Sequence, residues 1–203
     1  MDIFYLLAIT LKDSFIGFAV ALPFIVVYHA LILKNQKQRK TAIPHIIATY
    51  IFCFIVSFIL SATEIPNIRS IEMIVNIKLT PFTIASITEY LLNILLFIPF
   101  GFIAPLLWKK YQNAFFAFLL GLFFSLFIEI SQIFNHRVTD IDDLITNIIG
   151  SFIGYLIFML IRLIIPKTTA IFNDYNALKT SKMLVYFVII VLTSFFIKPF
   201  TIP

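Results

Sequence analysis

The sequence predicts an all-α, polytopic transmembrane helix bundle of about six spans with both termini outside, and three observations carry that expectation. First, 61% of the 203 residues are apolar and only 12% are charged, with a mean hydropathy of +1.04, whereas a soluble domain needs roughly 25% charged residues to cover its surface. Second, six apolar stretches are each long enough to cross about 30 Å of hydrocarbon, which takes about 20 helical residues. Third, Lys and Arg concentrate in alternate loops. An ordinary soluble protein is excluded, because 25 Phe cannot all be hidden in one water-surrounded core of this size.

The spans fall at 14–33, 43–62, 90–108, 113–133, 144–165 and 183–200. Each must be helical, because a spanning segment has to satisfy its own backbone hydrogen bonds and none alternates as a barrel strand does. Lys34, Lys37, Arg39, Lys40, Lys109, Lys110, Arg162, Lys167, Lys179 and Lys182 lie in or beside the loops after spans one, three and five; Lys12, Arg69, Lys78, Arg137 and Lys198 lie on the other side. That split of ten against five among the 15 basic residues assigns the basic loops to the cytoplasm. A bacterial cytoplasmic (plasma) membrane protein is the expectation, with an uncleaved first span, since Lys34 to Lys40 follow it where a signal peptide would have a small-residue cleavage site. The net charge of +5 is then a matter of topology, and no nucleic-acid partner is expected.

The chain divides into 1–62, two N-terminal spans around a basic cytoplasmic loop; 63–165, a core of an outer segment and three spans; and 166–203, a cytoplasmic loop and the last span. In the long connection 63–89, Ile65, Ile68, Ile71, Ile74 and Val75 recur at near-helical spacing, and Val75, Ile77 and Leu79 then alternate around Asn76 and Lys78 until Pro81. Such a segment is expected in the interface or packed back on the bundle. The lone Cys53 sits in an apolar run, so neither a disulfide framework nor a cysteine zinc site is expected.

Polar residues inside the spans need a reason, because an ionisable group at the bilayer centre costs about 2.5–3.5 kcal/mol on insertion scales. In the third span Glu89 and Asn93 share a face, with Pro99, Gly101 and Pro105 further along. In the fourth, Ser125, Glu129 and Gln132 follow i, i+4, i+7. At the start of the fifth, Asp140, Asp143, Asn147, Gly150 and Gly154 form one stripe. Asp140 or Thr139 is a candidate helix cap, and Gly150 and Gly154 make a GxxxG step for close helix packing. Glu129, Arg137, Asp140 and Asp143 put four ionisable groups within fifteen residues. Two readings are open: an ion-pair clamp that closes the bundle, or a polar site that opens outward. One His, His136, beside these carboxylates is a weak metal signal, and neither a metal nor another cofactor is expected.

The stretches NIKLTPFTI (76–84), NILLFIPFGFIAPLL (93–107), SLFIEISQ (125–132) and HRVTDIDDLITNIIGSFIGY (136–155) resemble the VanZ-like family of bacterial membrane proteins. The family pattern falls on Asn93, Pro99 and Gly101 in the third span, on Ser125, Glu129 and Gln132 in the fourth, and on Arg137, Asp140, Asp143, Asn147 and Gly150 in the fifth. His136 stands where Gly often precedes the Arg. The resemblance implies a cell-envelope role connected with resistance to teicoplanin, a glycopeptide with a fatty-acyl tail.

Three functions follow as expectations. In the first, an outward-facing polar site of Asn93, Ser125, Glu129, Gln132, Arg137, Asp140, Asp143 and Asn147 engages an anionic membrane lipid or a lipid-linked envelope intermediate, with Arg137 holding phosphate and the acids orienting it or binding a bridging cation. The second is an intramembrane acid/base enzyme, with Glu129, Asp140 and Asp143 as candidate catalytic groups. The third is a non-catalytic scaffold for envelope enzymes.

Overall fold

The computed structural model describes residues 3–34, 43–65, 68–69, 71, 77–78, 80, 87–134, 139–167, 172 and 183–200. Among these, six helices are long and apolar enough to cross a membrane: α1 (Ile3–Leu33), α2 (Ile43–Ala62), α3 (Ile87–Leu107), α4 (Ala114–Gln132), α5 (Ile141–Ile164) and α6, whose α-helical part is Met183–Phe196. A two-residue strand pair, β1 (Ile77–Lys78) and β2 (Thr139–Asp140), joins in parallel register. The chain is an all-α polytopic bundle.

Three helix starts differ from the sequence expectation by three residues or more; α3 begins at Ile87 rather than at 90. Helix α1 begins at Ile3 rather than at the apolar boundary: Lys12 and Asp13 interrupt the apolar run but not the backbone ladder, and no Pro or Gly precedes Gly17 to stop it. Helix α5 begins at Ile141, three residues before the apolar stretch. There the Asp140 carboxylate accepts a hydrogen bond from Asp142 N at 2.9 Å, so Asp140 is the cap that fixes the first turn.

The chain forms two compact units, Met1–Arg69 with Asp174–Pro203, and Ser70–Asn173. The first thus joins the first two spans and the last, which the sequence separates by more than a hundred residues. Here α1, α2 and α6 pack around buried Ile25, Phe52, Val56, Ile59 and Ile190. Gly17 lets α2 approach, since a Cβ there would lie 2.8 Å from Ser57 Oγ, and Ser57 Oγ donates to Ser14 O at 3.0 Å. In the same unit His29 is buried between Tyr186 Oη at 2.8 Å and Tyr50 Oη at 3.3 Å. The start of the long connection folds back on α6 through Ile68 N, which donates to Phe195 O at 3.1 Å.

In the second unit α3 and α5 run side by side in the same direction. Their backbones meet through glycines: a Cβ on Gly150 would overlap Ile94 O, one on Gly154 would overlap Ile98 O, and one on Gly101 would overlap Ser151 O. This is the small-residue packing that compensates for the missing hydrophobic driving force between helices in lipid. Helix α4 runs antiparallel to α5, with Gly121 against Ser151 and Ser125 against Asn147. Phe97, Phe100 and Phe124 fill the space beside α4, with the Phe100 and Phe124 ring centres 4.7 Å apart. At the far end, a 3-10 turn (Lys109–Gln112) connects α3 to α4. Gln112 Nε2 donates to Pro105 O at 3.1 Å and Tyr155 Oη donates to Gln112 O at 3.2 Å, which supplies partners for carbonyls at a helix end.

Candidate functional site

The parallel course of α3 and α5 brings both their N-terminal turns to one end of the second unit, and the antiparallel α4 delivers its C-terminal turn to the same place. Polar residues from three helices therefore gather there. Asn93 Nδ2 donates to Asp143 Oδ1 at 2.6 Å, a short charge-assisted contact that links α3 to α5. Glu129 Oε2, on α4, accepts from Asp140 N at 3.0 Å, and Thr139 Oγ1 donates to Glu129 O at 3.1 Å. Glu129 and the neighbouring Gln132 are buried. One turn further along α5, Asn147 Nδ2 donates to Ser125 Oγ at 3.1 Å, both residues being buried.

Lys78 completes the cluster from outside the helices. The register of the strand pair sets Lys78 beside Asp140, and its ammonium donates to Asp140 Oδ2 at 2.8 Å and to Asp142 Oδ2 at 3.1 Å. Tyr90 Oη, on the first turns of α3, donates to the same Asp142 oxygen at 3.1 Å. The Asp142 side chain is fully buried, while those of Lys78 and Asp140 keep 19% and 18% of their exposure. Hydrogen bonds to Asp140 first, and then to Asp142, hold the Lys78 ammonium well above its usual pKa, so it remains a cation throughout the physiological range.

Seven of the eight sequence-nominated residues thus lie toward the same end of the second unit: hydrogen bonds join Asn93 to Asp143, Ser125 to Asn147 and Glu129 to Asp140, and Gln132 is buried in the last turn of α4. Arg137 and His136 lie outside the described residues. The structure adds three that the sequence did not single out, Lys78, Tyr90 and Asp142. Asp142 stands between two nominated aspartates, and its signal is its position two residues after the capping Asp140, inside the first turn. Tyr90 lies one helical turn before Asn93. For Lys78 no local signal exists, because its partners are 62 and 64 residues away.

The arrangement is layered. At the outer layer, partly exposed Asp140, Asp143 and Lys78 carry charge that water partly screens, beside the uncharged Asn93; beneath them lie Glu129 and Asp142; deeper still are the uncharged Ser125 and Asn147. Such a gradient puts charge at the surface and uncharged hydrogen-bonding groups deeper in the helix packing.

Comparison with known proteins bears on the same region. The VanZ/LLP1 family matches residues 45–162, which includes all but the first two residues of α2 and the whole of the layered site. The curated Protein VanZ of Enterococcus faecium is 43% identical over 82 residues, covering 39% of this chain and 50% of that protein. The chain therefore spans about half the length of the curated relative it matches. No solved structure matches the chain. With more than half of its residues inside the family match and six apolar helices of membrane-spanning length, this multi-pass chain belongs to the VanZ/LLP1 family.

Proposed function

We propose that the polar end of the second unit faces outward from the bacterial cytoplasmic membrane and engages the headgroup of a membrane lipid or a lipid-linked envelope component. In doing so it alters the access of acylated glycopeptides such as teicoplanin to that component. The observation that carries this reading is the layering: polar groups from α3, α4, α5 and β1 converge at one end, partly exposed above and buried below. A group that only clamps helices has no need of partly exposed charged side chains, and the cost of placing so many polar side chains in a span is offset when they meet a polar partner.

The charge balance assigns the roles. Among the described residues the site carries Glu129, Asp140, Asp142 and Asp143 against Lys78, so a phosphate needs a further cation. Arg137, which follows α4 and precedes β2 in the sequence, is proposed to supply it, with planar donors suited to phosphate oxygens. The carboxylates then orient the arginine or meet hydroxyl and amine groups of the same headgroup.

The test is to express Arg137→Gln and Glu129→Gln in a host that the unaltered protein protects against teicoplanin, and to measure protein level and protection together. Normal protein with lost protection supports the site. Normal protein with full protection in both variants removes the two residues from the mechanism, and proportional loss of both quantities assigns them to a clamp.

A further inference from the structure

The deepest layer of the site narrows the chemistry of what it takes. Asn147 is 2% exposed and Ser125 is fully buried, and the Asn147 amide gives Nδ2 to Ser125 Oγ while its Oδ1 has no hydrogen-bond partner among the described residues. A buried amide ordinarily finds partners for both halves. Here the accepting half of the amide is unmet, and the polar side chains one turn away on the same two helices, Asp143 and Glu129, are carboxylates that cannot donate to it. The seam is closed below, because a Cβ on Gly121 would already lie 2.9 Å from Ser151 Cβ and Oγ.

We infer that the Asn147–Ser125 layer is a subsite for an uncharged hydrogen-bonding group of the ligand, a hydroxyl or an amide, closed in the ligand-free protein and opened when that group enters. An amide and a hydroxyl offer a donor and an acceptor and no charge, so this depth neither neutralises a phosphate nor compensates an ammonium; the charged residues that do so stand in the outer layer. The sealed Oδ1 penalises the closed state and none of that penalty remains once a hydroxyl bonds to it, so the free energy of opening is partly stored in the resting protein. The inference rests on the lipid-engaging reading above and deepens it: the headgroup carries hydroxyl or amide functions in addition to any phosphate.

The experiment compares purified wild type and Asn147→Leu in detergent, with Asn147→Ala as the second variant should leucine prevent folding. Three lipids of matched acyl chains are the probes: phosphatidic acid, which offers phosphate alone; phosphatidylglycerol, which adds hydroxyls to it; and monoglucosyl-diacylglycerol, which offers hydroxyls without phosphate. Wild type is expected to bind the two hydroxyl-bearing lipids about tenfold or more tightly than phosphatidic acid, as sites built around a hydroxyl discriminate against its absence. The Asn147 variant is expected to lose that preference while melting, without lipid, at the wild-type temperature or above it, since it no longer buries an unmet amide. A wild type that binds all three alike, or a variant that keeps the preference as when the amide holds only water, overturns the subsite. So does a lipid-free variant of either kind that melts well below wild type, which makes Asn147 a structural residue. If wild type binds none of the three, the lipid-engaging reading itself falls.

Discussion

Replacing Gly154 by alanine tests the packing that creates the site, at a position that belongs to none of its polar groups. A Cβ on Gly154 would overlap Ile98 O and lie 2.7 Å from Phe102 N, 0.7 Å inside the 3.4 Å at which ordinary contact begins. The obstructing atoms are backbone of α3, so no side chain can rotate out of the way and the two helices must separate by at least that amount. Overpacking of this kind typically costs about 1–3 kcal/mol, and we place Gly154→Ala at about 3 kcal/mol because rigid backbone must yield. The same displacement strains the 2.6 Å Asn93–Asp143 contact, which joins the same two helices near their N-termini. Gly150 faces Ile94 of the same helix, so Gly150→Ala pushes α3 in the same direction, and the double variant costs less than the two singles added. Reversible unfolding in mixed micelles, followed by the fluorescence of Trp108 near the far end of α3, reads all three proteins. A Gly154→Ala protein within about 0.5 kcal/mol of wild type, the range of neutral surface changes, or a strictly additive double variant, refutes the close crossing of α3 and α5.

Three further outcomes follow from the site's contacts. Lys78→Met lowers the melting temperature by leaving Asp142 buried without its cation, and Asp142→Asn in the same chain recovers part of the loss. Because the folded-state pKa of Lys78 is raised, its contribution is fully present below the ordinary lysine pKa of about 10.4 and fades only as pH rises toward the higher folded value; the gap between wild type and Lys78→Met is the same at pH 7 and pH 9 and narrows beyond. Asp143→Ala removes the acceptor of Asn93 and destabilises by about 1.5–3 kcal/mol, the range for hydrogen bonds to charged groups, whereas Asp143→Asn loses less, as chemical denaturation of both variants will show. On a Cys53→Ala background, Thr80→Cys reacts with an impermeant thiol reagent in intact cells and Lys109→Cys does not; the opposite labelling reverses the proposed orientation.

What the sequence made legible and what it hid divide along one physical line. Span positions depend on local hydropathy, and α2 (Ile43–Ala62) coincides with its apolar stretch. Faces within a span are legible too: the i, i+4 spacing of Ser125 with Glu129 and of Asp143 with Asn147 places each pair on one stripe, and these are the stripes that meet. Helix starts are less legible, because the Asp140 cap draws α5 three residues into a charged segment, and with it Asp142 becomes a helical, buried residue. Pairings across distance are not legible at all. Lys78 reaches Asp140 and Asp142 only because two residues of the long connection pair with two residues before α5, and no local pattern encodes a register so short. The glycines stand between these cases: Gly150 and Gly154 announce a close approach, but that the approaching backbone is α3, running parallel, is a property of the fold.

The central claim is that this polar end engages a lipid headgroup, and Glu129→Gln tests it with least disturbance. Glutamine keeps a carbonyl oxygen for the bond from Asp140 N, now 3.0 Å, and exchanges the other carboxylate oxygen for an NH2 group of nearly the same size, so the fold is expected to persist. Native mass spectrometry of wild type and Glu129→Gln, extracted from the same cells with their bound lipids, measures occupancy directly. Wild type is expected to retain a defined lipid whose occupancy falls about tenfold or more in the variant, a differential of about 1.4 kcal/mol, at an unchanged melting temperature. The same lipids at the same occupancy in both proteins would contradict that claim.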